Sequence, residues 1–284
     1  THQVAHALLR MQAISEQRAL QDYELPQQLA CYIEPDAQLT DNKDARRHSL
    51  ARNIEAFLAD AQQRVCLLLG HAGAGKTLFG QRLEQQLWEG YQAYAPHVTV
   101  PIRLELKRFD AHSARDCVRQ ALRQDYDLTE AEIDRLKHSA TQFVFILDGL
   151  DELSGGGMPR LYQDNHLGDW GRAPKALMGV RVEYVAGHDY RPLLGPGGAQ
   201  NQARLTQWYV APFRVSDVRT YLHRRHEQGQ LPNALDDYLT PLDTVAKLCE
   251  LIDTPFLMKV YERACPQLDL SQAHLTRADL YAAF

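Results

Sequence analysis

Residues 65–88 read VCLLLGHAGAGKTLFGQRLEQQLW: a short apolar run, a glycine-rich turn ending in Lys-Thr, and then apolar positions at helical spacing. A strand that hands such a turn to the start of a helix is the setting of a phosphate-binding loop. Gly70, Gly73 and Gly75, with His71, Ala72 and Ala74 between them, let the backbone turn tightly enough for successive N–H groups to face a phosphate. The positive end of the helix that follows, entered at about Leu78, adds to that attraction. Lys76 is placed to reach the β and γ phosphates of a nucleotide, and the Thr77 hydroxyl to supply one Mg²⁺ ligand.

Further along, FVFILDGLDEL at 143–153 is an apolar strand that carries Asp148 to its carboxyl end, which is where ligands sit in open α/β sheets. Asp148 is the expected second Mg²⁺ ligand, direct or through water. Asp151 and Glu152 follow within one turn, and either is placed to polarise an attacking water; the residues alone leave both open. A strand at 98–104 lies between the two motifs. It implies the ASCE branch of P-loop NTPases, in which the strand bearing the Mg²⁺ carboxylate is separated from the P-loop strand.

Apolar runs at 65–69, 98–104, 143–147, 175–180 and 207–210 alternate with helical patterns such as 78–88 and 114–122. Alternation of this kind predicts an α/β fold with a parallel five-stranded sheet between helices, its crossovers right-handed. Upstream, 1–31 reads as an amphipathic helix with a break at Pro26, 34–47 as an exposed connector, and 49–62 as a helix. From about Ser216 the pattern is wholly helical. The glycine clusters at 155–157 and 195–198 read as loops. The expected organisation is an N-terminal helix and linker (1–48), a nucleotide-binding domain (49–213), a small helical subdomain (214–275) and a final segment (276–284).

A formal net charge of -5 with no basic stripe argues against general nucleic-acid binding, which requires cations that displace phosphate counterions. Cysteines 31, 66, 117, 249 and 265 form no CxxC pair or even framework, so neither a metal site nor a disulfide scaffold is expected. The N-terminus lacks a signal layout and no apolar stretch is long enough to span a bilayer, which predicts no membrane association and a cytoplasmic location.

GHAGAGKT together with LDGLDEL resembles the NACHT group of STAND signal-transduction ATPases, relatives of the NLR-like proteins, whose Mg²⁺ strand ends in Asp, a small residue, an apolar residue and two acids. Asp148, Gly149, Leu150, Asp151 and Glu152 follow that pattern. The resemblance extends through PIRLEL (101–106), 165–185, YVAPF (209–213) and LIDTPFLMKVY (251–261), and covers about residue 32 to the end. It implies that the arginine after the next strand, Arg181, senses the γ-phosphate; the family's preceding hydroxyl residue is replaced by Gly179. His188 and Arg191 lie downstream as substitutes. It further implies that Pro255 packs against the adenine and that Tyr32 and Ile33 approach the base. LTRADLYAAF at 275–284 looks like the lead into a winged-helix region that the chain does not carry through, leaving ADP less firmly held.

The resemblance therefore implies an enzyme that binds ATP or ADP with Mg²⁺ and hydrolyses ATP slowly. It would act as a nucleotide-controlled switch whose ATP state self-associates in defence or signalling, with effector and sensor domains elsewhere in a longer protein. Two alternatives stay open: a AAA-like remodelling ATPase with continuous turnover, and a nucleotide-binding scaffold with negligible hydrolysis. No NKxD motif is present to mark guanine, and ATP is the expected nucleotide.

Overall fold

The computed structural model describes residues 2–95, 98–154, 158–197, 204–245, 247–268 and 275–284. The glycine loop expected at 155–157 lies outside these residues, as does position 198 of the second glycine cluster. Seven strands, β1 (Asp36–Gln38), β2 (His48–Ser49), β3 (Val65–Leu69), β4 (Thr99–Glu105), β5 (Gln142–Asp148), β6 (Lys175–Val180) and β7 (Leu205–Val210), form one sheet in the order β2-β1-β7-β3-β6-β5-β4. The run from β7 to β4 is parallel throughout and is the expected five-stranded core. β3 and β6 are buried at every position, which is why 65–69 and 176–180 read as apolar runs: helices cover both faces. Even Lys175 is fully buried, and its Nζ donates to the carbonyls of Asp60 and Gln63.

The strand that precedes β5 in sequence does not separate it from the P-loop strand in space. β4 pairs with β5 at the far edge, and β6 is the strand inserted between β3 and β5. A second correction concerns 34–47. Residues 39–44 are exposed as expected, but Ala37 and Gln38 are buried and pair antiparallel with Val210 and Tyr209, so the start of this segment extends the sheet beyond β7. Three residues show too little periodicity to be read as a strand, and the pairing covers the otherwise open β7 edge.

On one face, Ala7, Leu8 and Met11 of the helix His2–Gln21 enter the same core as β3, β5 and the helices Cys117–Tyr126 and Glu130–Lys137. On the other face the helix Leu50–Ala59, shorter than expected, packs with Lys76–Glu89 through Ile54, Phe57, Phe79 and Leu83. The helices Val215–Glu227, Leu235–Thr244, Pro255–Ala264 and Arg277–Ala283 enclose a separate core around Leu222, Tyr238, Met258, Tyr261 and Leu280. Asp253, buried where the two parts meet, accepts from Lys43 at 2.8 Å and from Arg277 at 3.1 Å. All five cysteines are free thiols. No helix among the described residues is long and apolar enough to cross a membrane.

Candidate functional site

The glycine-rich turn leaves the carboxyl end of β3, and Gly75 caps the helix Lys76–Glu89 with φ +90°. Gly73 has φ +73°. Both lie in the left-handed region, where a Cβ is penalised, so the glycine spacing in the motif is a backbone requirement. At Gly73 a Cβ would also meet Cβ of Phe256 at 2.6 Å, because the helical subdomain rests directly on the turn. The Phe256 N–H donates to Gly73 O at 3.3 Å.

Lys76 curls back over its own loop, donating from Nζ to Gly70 O at 2.7 Å and to His71 O at 3.0 Å. Burial lowers its pKa, while the charges of Asp151 and Asp148 oppose the shift. Asp148 ends β5 beside it. Burial raises the Asp148 carboxyl above the ordinary range, opposed by Thr77 and by the charges of Arg103 and Lys76, and the two expected Mg²⁺ ligands line the same cleft. A half-buried carboxylate and a hydroxyl on the wall of one cleft beside a phosphate loop are an oxygen donor set of the kind Mg²⁺ takes together with phosphate oxygens. Gly179, on β6, lies against this carboxylate: a Cβ there would be 3.0 Å from Asp148 Oδ1.

Asp151 and Glu152, equivalent in the sequence, are unlike in the structure. The Asp151 side chain is 9% exposed and both its oxygens are engaged by Arg181, Oδ1 by the backbone N–H at 3.0 Å and Oδ2 by Nε at 2.8 Å. Glu152 is 43% exposed, and its ion pair among the described residues is with Arg181 Nη2, at 3.6 Å. Arg181 thus has its backbone and its side chain on one carboxylate at the wall of the cleft.

Ala72, Gly73, Ala74, Gly75, Lys76, Thr77 and Leu78 line one cleft with Asp148, Asp151, Glu152, Arg181 and Pro255. Ala74, Gly75, Leu78 and Pro255 continue into an adjoining cavity bounded by Tyr32, Ile33 and Met258, with Glu24, Arg225 and Glu262 also at its walls. The resemblance-based expectations for Pro255, Tyr32 and Ile33 therefore fall at one place. Pro255 Cγ is 3.2 Å from the position a Gly75 Cβ would take, and the Arg82 guanidinium lies over the Tyr32 ring at 5.1 Å.

Several expected residues lie elsewhere. Gly70 does not line the cleft and serves through its carbonyl. The His71 imidazole faces the opposite side of the loop, between Glu183 (Nδ1 to Oε1, 2.7 Å) and Asp41 (Nε2 to Oδ1, 3.4 Å). The hydrogen bond to Glu183 raises its pKa, followed by the opposing effect of burial and the charge of Asp41. His188 and Arg191 bond to Ala186 O and to Gln207 Oε1, away from the cleft. Sequence reasoning missed Phe256 and Lys259, which line the phosphate cleft from the helix Pro255–Ala264. The available signal was Lys259 one turn after Pro255, a cation within the largely apolar stretch LIDTPFLMKVY.

The sequence profile of the NACHT domain matches residues 64–228. Among solved structures, the Aeropyrum pernix ORC1 protein in complex with DNA aligns over 89% of this chain and 70% of its own, with 16% identity and a TM-score of 0.51. The Aeropyrum pernix ORC2 protein, solved as ADPNP-ADP complexes, aligns over 82% of this chain and 65% of its own, with 14% identity and a TM-score of 0.52. At such identities the likeness concerns the fold, and the chain spans under two thirds of the second protein. No curated protein sequence matches the chain.

Proposed function

Because the chain belongs to the NACHT domain family, with a profile match from 64 to 228, we propose that its cleft binds ATP or ADP with Mg²⁺ and hydrolyses ATP slowly. The carrying observation is that Lys76, Thr77, Asp148 and the Asp151–Arg181 pair converge on one cleft that runs on into a cavity walled by Tyr32 and Ile33 and by Pro255 and Met258 of the helical subdomain. Tyr32, Ile33, Pro255 and Met258 offer a base flat apolar contacts, and the glycine-rich turn with Lys76 and Arg181 suits a phosphate chain. Thr77 and Asp148 would hold Mg²⁺, which when bound neutralises phosphate charge that builds up in phosphoryl transfer.

The residues divide the remaining work by exposure. Glu152, the more exposed of the two carboxylates and the more loosely held by Arg181, accepts a proton from the attacking water. Asp151 holds Arg181 by its backbone N–H and its Nε on the wall of the cleft, and the guanidinium so held is the γ-phosphate sensor. Loss of the γ-phosphate would release Arg181 to its carboxylates, which gives the site a means to tell ATP from ADP. With Pro255 and Phe256 against the loop, that difference passes to the helical subdomain. We read the chain as a nucleotide-controlled switch in which ADP favours the compact state and ATP permits self-association, serving defence or signalling within a longer, cytoplasmic protein. The net charge of -5 supports partners other than nucleic acid in general.

The test is to purify the chain, identify the nucleotide it carries by chromatography, and repeat with Lys76→Ala. Retained ADP that disappears in the variant is the expected result. An empty protein that turns over added ATP rapidly would favour a remodelling ATPase, and tight retention without turnover a scaffold. Indifference of nucleotide content to Lys76→Ala would reject the assignment of the cleft.

A further inference from the structure

Lys259, on the helix Pro255–Ala264, lines both the phosphate cleft and the cavity that adjoins it. It is partly buried, burial lowers its pKa, and among the described residues no hydrogen bond or ion pair is formed by its ammonium. Its acidic neighbours do not supply one. Glu262 is held by Arg225 (2.5 Å from Nη2 to Oε1) and by the Tyr221 hydroxyl (2.6 Å to Oε2), and Glu24 accepts from Gln28 at 3.0 Å. Arg263 and Arg225 add repulsion. An ammonium withdrawn from water without a counter-ion is unfavourable, and its position is explained if the missing anion arrives with the ligand.

The geometry names that anion. Residues four apart share a helix face, so Lys259 lies above Pro255, whose ring is in contact with the turn at Gly75. The other cations lining the cleft are both engaged within the α/β part, Lys76 on the carbonyls of Gly70 and His71 and Arg181 on Asp151. Lys259 is the cation that the helical subdomain brings. We propose that Lys259 binds the phosphate chain of the nucleotide, so that holding the nucleotide and seating the helical subdomain on the phosphate loop are one event. The proposal rests on the nucleotide-site reading and assigns the subdomain its own phosphate contact.

The experiment titrates the intact chain with adenosine, AMP, ADP and ATP, comparing wild type, Lys259→Gln, Lys259→Arg and Lys76→Ala. Loss of one charge-assisted contact predicts ADP and ATP affinities about 10- to 100-fold weaker for Lys259→Gln. Adenosine binding should be unchanged, Lys259→Arg should recover most of the loss, and thermal stability without nucleotide should be equal to wild type or higher. Equal losses for adenosine and ADP, or a lower melting temperature without nucleotide, would assign Lys259 a packing role and overturn the proposal. ADP affinity weakened by Lys76→Ala but untouched by Lys259→Gln would overturn the proposal and leave the site reading standing. No binding of any nucleotide by the wild type would overturn both.

Discussion

Asp151→Asn and Glu152→Gln should separate two neighbouring acids that the sequence leaves equivalent. Asp151 is nearly buried and accepts two bonds from Arg181, at 3.0 and 2.8 Å. Hydrogen bonds to charged groups contribute roughly 1.5–3 kcal/mol each when shielded, and the Arg181 side chain is 45% exposed, which screens the pair. Taking the two bonds together at about the value of one shielded bond, Asp151→Asn should cost roughly 1.5–3 kcal/mol, a fall in Tm of about 3–9 °C for a chain of this size. Glu152 is 43% exposed with one contact at 3.6 Å, so Glu152→Gln should stay within about 0.5 kcal/mol of wild type. Its effect belongs to chemistry: loss of a general base lowers ATP hydrolysis by about 10²–10⁴ while ATP still binds. Differential scanning fluorimetry and single-turnover hydrolysis, run on both variants, measure the two quantities. A stable Asp151→Asn that has lost hydrolysis, beside a Glu152→Gln that turns over normally, would refute the division of roles.

Three further outcomes are expected. Gly73→Ala places a Cβ at φ +73° and 2.6 Å from Phe256 Cβ, so it should lose about 1–2 kcal/mol to the backbone alone and bind ADP more weakly; pairing it with Phe256→Gly should restore the steric part only, and full recovery would refute the backbone share. His71 faces Glu183 and Asp41, with Lys76 nearby. Its raised pKa means that its stabilisation is fully present below about pH 6.5 and is lost as pH rises through the folded-state value, while the lowered pKa of Glu183 sets the acid limit; urea unfolding of wild type and His71→Gln should converge toward alkaline pH, and parallel profiles would contradict the bridge. Lys175 is pushed down to about 8 by burial. The unfolded chain then binds more protons between pH 8 and about 10.4, so stability should rise with pH across that window and Lys175→Met should flatten the rise; an unchanged slope would place the titration elsewhere.

What the sequence by itself determined is what short segments encode. GHAGAGKT needs glycine where φ is +73° and +90°, and β3 and the interiors of β5 and β6 are apolar because both sheet faces are covered. Phosphate loop, acidic motif, parallel sheet and helical ending could therefore all be read from one chain. The tertiary structure decided whatever depends on partners distant in sequence. β6, not β4, separates the motif strands, and Asp36–Gln38 becomes a strand only because β7 offers an edge. Asp151 differs from Glu152 only because Arg181, thirty residues on, takes one and barely touches the other. His71 turns away from the phosphate side because Asp41 and Glu183 hold it, and Phe256 and Lys259 reach the site because a separate core seats their helix on the loop. Local propensity and periodicity carry no record of such contacts, since each is a property of two segments brought together by the burial of both.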